Sequence, residues 1–212
     1  SRSVAVVIPA YKVADSIVSV IAAIPEAIRH IVVVDDGCPQ GSGKVVEESV
    51  NDSRVRVVFS GSNQGVGGAM ITGYKAALET TNAEIIVKVD GDGQMDPSLI
   101  ASLVSPIIRG DADYTKGNRF DSLEDLEQMP KIRIFGNAVL SIFSKFSSGY
   151  WDITDPTNGF TAIHRSVLNR IRLEKLRRGY FFESDMLFRL SIIRAVVVDV
   201  PMSSQYGNEK AT

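Results

Sequence analysis

The chain has 212 residues, 44% hydrophobic and 23% charged, with a formal net charge of −2. This is ordinary globular usage: enough chain for one sizeable core, too apolar for disorder, and without the basic excess of a general nucleic-acid binder. Cys38 is the sole cysteine, which excludes a disulfide framework and a cysteine-based zinc site and is compatible with a reducing compartment.

Ser1-Arg2-Ser3 leads straight into an apolar run with no secretory signal, and no run approaches the ~20 apolar residues that span a bilayer. Val4 to Ile8 reads as strand one, ended by Pro9-Ala10-Tyr11. Ile17, Val20, Ile21 and Ile24 recur at helical spacing, with Asp15 or Ser16 near the start and Pro25 at the close. Ile31 to Val34 is strand two, followed by Asp35-Asp36-Gly37; Lys44 to Val50 is a short helix. Val55 to Phe59 is strand three, and Ser62 to Gly68 leads into a helix through Leu78. Ile85, Ile86, Val87 and Val89, interrupted only by Lys88, form strand four. Strands alternate with helices from residue 4 to about 108, which predicts parallel βαβ units.

After residue 110 the pattern changes. Asp113 to Lys116 reads as a strand, followed by Gly117-Asn118-Arg119-Phe120. Residues 131–146 carry Phe135, Val139, Ile142 and Phe146 on one helical face, with Lys131, Arg133 and Lys145 around it. Such a stripe suits a helix lying on a membrane surface or one packed on a core, and both readings stay open. Asp155 to Phe160 is a turn cluster before a short strand. Ser166 to Ile171 reads as a helix capped by Ser166, a further helix opens at Phe181 and runs to about Arg194, and Ala195 to Val200 is the last strand.

The chemistry concentrates where strand four ends, in Asp90-Gly91-Asp92-Gly93-Gln94. Ligands of open α/β sheets bind outside the carboxyl ends of the strands. Side chains two apart in extended backbone point to one side, so Asp90 and Asp92 can face one ligand, with Gly91 leaving space between them. Adjacent carboxylates repel unless a cation neutralises them, and hard oxygen ligands suit Mg²⁺ or Mn²⁺ shared with substrate phosphates. Gln94 offers one more oxygen. The plainer alternative is a solvated acidic turn.

Two phosphate-binding patterns nearly fit and fail. From Gly37 to Lys44 the spacing resembles a P-loop, but five residues separate Gly37 from Gly43, and Val45 stands where a Ser or Thr would hold Mg²⁺. Gly65-Val66-Gly67 has Met70 at the third glycine position and follows the third strand rather than the first. These glycines serve turns or a helix N-terminus near phosphate.

Six segments in order resemble the family-2 glycosyltransferases of the GT-A fold: Val7 to Tyr11, Val33 to Gly37, Asn63 to Ala69, Asp90 to Gln94, Gly117 to Phe120, and Phe182 to Asp185. The resemblance covers nearly the whole chain. The D-G-D-G-Q-x-D-P stretch and the Gly-x-Arg-Phe motif are most similar to the polyprenyl-phosphate (dolichyl-phosphate) sugar transferases. The resemblance implies a Rossmann-like, mostly parallel α/β sheet in one domain over 1–212, with a nucleotide-sugar-binding half to about residue 110 and an acceptor half beyond. If the chain is an excised domain, a C-terminal segment beyond Thr212 could change the membrane reading.

Roles follow from the same resemblance. Pro9, Ala10, Tyr11, Asp35, Asp36, Gly65 and Gly91 hold the nucleotide sugar, a UDP- or GDP-sugar, with Asp90, Asp92 and Gln94 on a Mg²⁺ or Mn²⁺ ion. Arg119 and Arg133 bind phosphate, and Arg119 joins Asp185 and Glu183 as a catalytic candidate. Asp185 matches the acceptor-side base, and Glu183 competes for that place; residues two apart on a helix do not share a face. The implied reaction is an inverting, metal-dependent transfer to a lipid phosphate at the cytoplasmic face of the cell membrane. A growing glycan is the rival acceptor and a nucleotidyltransferase the rival enzyme. Lys12, Val13 and Cys38 depart from the family pattern, which leaves the nucleobase open.

Overall fold

The computed structural model describes residues 3–118, 149–150, 153, 155 and 158–202. The expectations that concern Arg119, Phe120, Arg133 and the 131–146 helix lie outside the described residues.

Strands β1 (Val4–Ala10), β2 (His30–Asp35), β3 (Val55–Phe59) and β4 (Ile85–Lys88) alternate with helices α1 (Ile17–Ala23), α2 (Ser42–Ser49) and α3 (Gly65–Thr80). Helix α4 (Ile100–Arg109), β5 (Tyr114–Asn118), β6 (Thr161–His164), α5 (Arg165–Leu168), α6 (Phe182–Ile192) and β7 (Val197–Pro201) follow. One seven-stranded sheet has the order β3-β2-β1-β4-β6-β5-β7. β1 to β4 are mutually parallel, as the alternation predicts, and β7 is parallel to β5. β6 runs antiparallel to both β4 and β5, so β4 stands at the seam between the two halves.

The apolar runs are continuous because both faces of the sheet are covered. Val6, Ile8 and Ala10 of β1 pack with Ile17, Val20 and Ile21 of α1 and Leu103 and Ile107 of α4. Val7, pointing the other way, packs with Met70, Tyr74 and Ala77 of α3 and Met186, Leu187 and Leu190 of α6. Each such side chain, fully buried, stabilises the fold by about 1.5–3 kcal/mol before the entropy cost of ordering it.

Helix α5 starts at Arg165, not after Ser166: the cap is His164, whose Nδ1 accepts the Ser166 N–H at 3.2 Å. The capping side chain thus stands two residues before the expected Ser166, whose hydroxyl sits 2.7 Å from the same nitrogen.

From β1 the chain steps out through α1 and α2 to β3 at the sheet edge, then returns along α3 on the opposite face to β4. The loops after β1 and β4 leave neighbouring strands towards α1 and α4 on one face, whereas the loop after β3 leads to α3 on the other. A crevice opens between them at the carboxyl ends of these strands. Among the described residues no helix is long and apolar enough to cross a membrane.

Candidate active site

A cavity of about 430 Å³ opens in this crevice. β1 ends in Pro9, Ala10 and Tyr11 on one wall. Asp36, just past β2, and Asn63, Gly65 and Val66, at the entry to α3, form another. Asp90, Gly91 and Asp92, leaving β4, complete it. Four expected segments thus converge from four loops.

The acidic pair after β2 divides its work. Asp35 accepts the Cys38 N–H at 2.8 Å on Oδ1 and the Gly43 N–H at 2.7 Å on Oδ2, and lies outside the cavity lining. Successive side chains of an extended segment point to opposite sides, so Asp36 turns inward. Its carboxylate accepts the Gln64 N–H at 3.0 and 3.1 Å, which holds the Asn63 loop against the cavity. Lys12 and Cys38, two of the departures from the family pattern, meet here. The Lys12 N–H donates to Cys38 Sγ at 3.1 Å, and Ser42 Oγ lies 3.1 Å from the same sulfur. Burial raises the thiol pKa, but the hydrogen bonds from Ser42 and nearby amides outweigh it and the net direction is down.

The D-G-D loop is fixed from outside. Ser16 Oγ, at the start of α1, donates to Gly91 O at 2.7 Å, and Asp92 Oδ1 accepts the Gln94 N–H at 3.0 Å. Desolvation, then the neighbouring charge of Asp90, raises the Asp92 carboxyl above its ordinary pKa. Gln94 is exposed and is not among the residues lining the cavity; what it gives the loop is its backbone amide.

Lys88, read in the sequence as an interruption of strand four, is 2% exposed. Its Nζ lies 2.8 Å from Asp90 Oδ1 and 3.0 Å from Glu183 Oε1, and donates to Gly159 O at 3.2 Å. Burial opposes its charge, but the carboxylates of Asp90 and Glu183 overcome that and raise its pKa. Lys116, with no exposed surface, donates to Asn158 O and stands 3.9 Å from Glu183 Oε2; there burial prevails and the pKa is lowered. Gly159 is packed so tightly on Lys88 and Asp90 that a Cβ would overlap the ammonium. Lys88, Lys116 and Gly159 escaped the sequence reading. The one available signal was a lysine within an otherwise apolar central strand, where a charge needs a partner.

Of the two acids on α6, Glu183 points into this buried cluster. Asp185 turns to the 175–179 segment: its Oδ2 accepts the Arg177 N–H at 2.9 Å and Arg189 Nε–H at 3.0 Å. Neither lines the cavity. The Arg178 carbonyl in turn accepts the N–H groups of Gly67 and Gly68 at 2.8 and 3.2 Å. Those two amides at the start of α3 are therefore committed to the chain itself rather than open to a phosphate. A Cβ at Gly67 would collide with the Arg177 carbonyl, so the glycine permits the close approach.

Among the described residues no group of three or more His, Cys, Asp or Glu side chains converges on one point. Asp90 and Asp92 both line the cavity, near enough that the charge of Asp90 raises the Asp92 carboxyl, and that repulsion favours an added positive charge. This donor set fits a hard divalent ion that takes its remaining oxygens from a diphosphate and water.

Residues 5–172 match the family model described as Glycosyl transferase family 2. The chain is 31% identical over 191 residues to the UDP-N-acetylglucosamine--dolichyl-phosphate N-acetylglucosaminyltransferase of Methanococcus voltae, covering 84% of this chain and 75% of that protein. It is 30% identical over 203 residues to the polyprenol monophosphomannose synthase of Mycolicibacterium smegmatis, covering 93% and 76%. Glucosyl-3-phosphoglycerate synthase from Mycobacterium tuberculosis, solved with Mn²⁺, UDP and phosphoglyceric acid, superposes with a TM-score of 0.72 over 99% of this chain and 72% of that one, at 20% identity. That likeness is one of fold, the GT-A type. The family match runs from β1 through α5 and takes in the loops that build the cavity: this chain belongs to glycosyl transferase family 2.

Proposed function

We propose that the enzyme catalyses an inverting, divalent-metal-dependent transfer of a sugar from a UDP- or GDP-sugar to a polyprenyl phosphate, at the inner face of the cell membrane. The observation that carries the reading is the convergence of Asp90 and Asp92 on the same cavity as Pro9, Tyr11 and Asp36. Relatives named for dolichyl-phosphate and polyprenol substrates support the acceptor class.

In this reading Pro9, Ala10, Tyr11 and Asp36 bind the nucleoside, Asp36 by accepting from a base N–H or ribose hydroxyl. Asp90 and Asp92 hold Mg²⁺ or Mn²⁺, with Gln94 tightening the turn. Bound there, the ion stabilises the charge that develops on the departing nucleoside diphosphate. Contrary to the expectation from sequence, Gly91 does not clear space between the carboxylates: a Cβ there would press on Ile17 and Val13, so the glycine lets the loop lie close against α1. Arg119 and Arg133, outside the described residues, keep their sequence-based assignment to phosphate. A lipid phosphate has a second pKa of about 6 and is largely dianionic at neutral pH, so it attacks the anomeric carbon without a strong base. Asp185 then acts by holding the 175–179 segment.

The test is transfer of radiolabelled sugar into an organic-soluble fraction in the presence of polyprenyl phosphate. The expected result is metal-dependent, lipid-extractable label. Label confined to water-soluble glycan would assign the acceptor to the rival class, and release of pyrophosphate from a nucleoside triphosphate would point to nucleotidyl transfer.

A further inference from the structure

We propose that Glu183 tunes the cation affinity of Asp90 by sharing a single buried counter-ion, Lys88. The inference rests on the donor-site reading of Asp90 given above. Lys88 Nζ stands between the two carboxylates, 2.8 Å from one and 3.0 Å from the other. The Lys88 and Glu183 side chains are 3% and 10% exposed, whereas that of Asp90 is 29% exposed and faces the cavity.

The asymmetry gives the arrangement its direction. Neither Glu183 oxygen has a well-formed hydrogen bond, so ion pairing to Lys88, and more distantly to Lys116 at 3.9 Å, is what holds its charge. Tyr74 and Tyr114 pack near the same carboxylate, and burial and its charge both keep their phenols protonated. Glu183 thus draws on the ammonium from a place where water cannot compensate. Asp90, at the cavity edge, keeps only part of that positive charge and stays open to a second cation. Without Glu183, Lys88 would neutralise Asp90 outright and compete with the metal. Charges this close and this poorly hydrated interact far more strongly than surface pairs. The link also crosses the molecule, since Lys88 ends β4 of the donor half while Glu183 opens α6 of the acceptor half.

Glu183→Gln, Lys88→Met and the double variant test this with two readouts. The first is binding of Mn²⁺·UDP by calorimetry. Glu183→Gln should weaken it about tenfold or more, and Lys88→Met/Glu183→Gln should restore it, because the competing ammonium is gone. A purely architectural Glu183 predicts a double variant at least as weak as the single, and that result, or unchanged binding in Glu183→Gln, overturns the proposal. The second readout is thermal unfolding without any ligand. Lys88→Met alone should lower Tm strongly by leaving Glu183 buried without its cation, and adding Glu183→Gln should recover most of the loss. Additive losses would overturn the shared ion pair. If the parent protein bound neither UDP nor Mn²⁺·UDP, the donor reading would fail, and the role given to Asp90 with it; the unfolding cycle would still decide whether the ion pair is shared.

Discussion

Asp92 is exposed at the cavity rim, and its charge costs the empty protein only a little. Its carboxyl is raised by desolvation first and by Asp90 second. The sign follows: the folded state holds this proton more tightly than the unfolded chain, so the fold is favoured as pH falls through the raised pKa and penalised above it. At neutral pH, Asp92→Asn should therefore raise the metal-free Tm slightly, since Asn Oδ1 can still accept the Gln94 N–H. The same variant should lose Mn²⁺-dependent donor binding and at least about 100-fold in kcat/KM, or about 2.7 kcal/mol of transition-state stabilisation. A melt with and without metal checks the first; donor titration and steady-state rates check the second. Asp185 is the opposite kind of residue. Two charge-assisted contacts, to the Arg177 amide and to Arg189, engage it away from the cavity. Asp185→Asn should cost about 1.5–3 kcal/mol of stability. It should leave the pH profile of kcat unchanged, whereas loss of a general base would remove a limb of that profile.

Among the elements, the first four strands were legible because their apolar runs are nearly unbroken, and they are unbroken because helices cover both faces of the sheet. The cavity loops were legible for a related reason: each begins where a strand must stop, so Tyr11, Asp36 and Asp90 could be placed at one edge from sequence alone. What packs on those loops was not legible. Gly159 and Glu183 reach Lys88 from far along the chain, and no local spacing marks such a meeting. For Glu183 and Asp185, helical geometry shows that one faces inward, but only the packing of α6 decides which. The start of α3 offers a test at this scale. Gly67→Ala would push against the Arg177 carbonyl and separate the 175–179 segment from the helix. Overpacking of this kind costs about 1–3 kcal/mol. With a shift of about 2–4 °C per kcal/mol for a chain of this length, Tm should fall by roughly 2–12 °C. The KM for the donor should rise as well, because Gly65 and Val66 line the cavity just ahead of the perturbed turn.

For the whole molecule, ligand binding and stability are linked. The cavity walls come from the loops after β1, β2, β3 and β4, so a donor seated there joins segments that would otherwise open separately. A nucleoside diphosphate with Mn²⁺ at a hundred times its Kd should add about 2.7 kcal/mol to folding. For this length that is a Tm increase of roughly 5–11 °C, and EDTA should remove most of it. A panel of UDP-, GDP- and dTDP-sugars run the same way would identify the base, which the contact between Lys12 and Cys38 leaves open.

The reversed strand β6 has a wider consequence. Because it opposes both β4 and β5, the chain leaves β5 at Asn118 and re-enters the sheet at Thr161 on one edge, the edge where β4 delivers its aspartates. Thr161 stands opposite Lys88 on one side and Lys116 on the other, so this single reversed strand brings the two buried lysines to one level of the sheet. A slip of one residue along β6 would turn its side chains to the wrong face and carry Gly159 off the ammonium it covers. The antiparallel pairing is therefore what keeps the charge cluster in register with the end of β4.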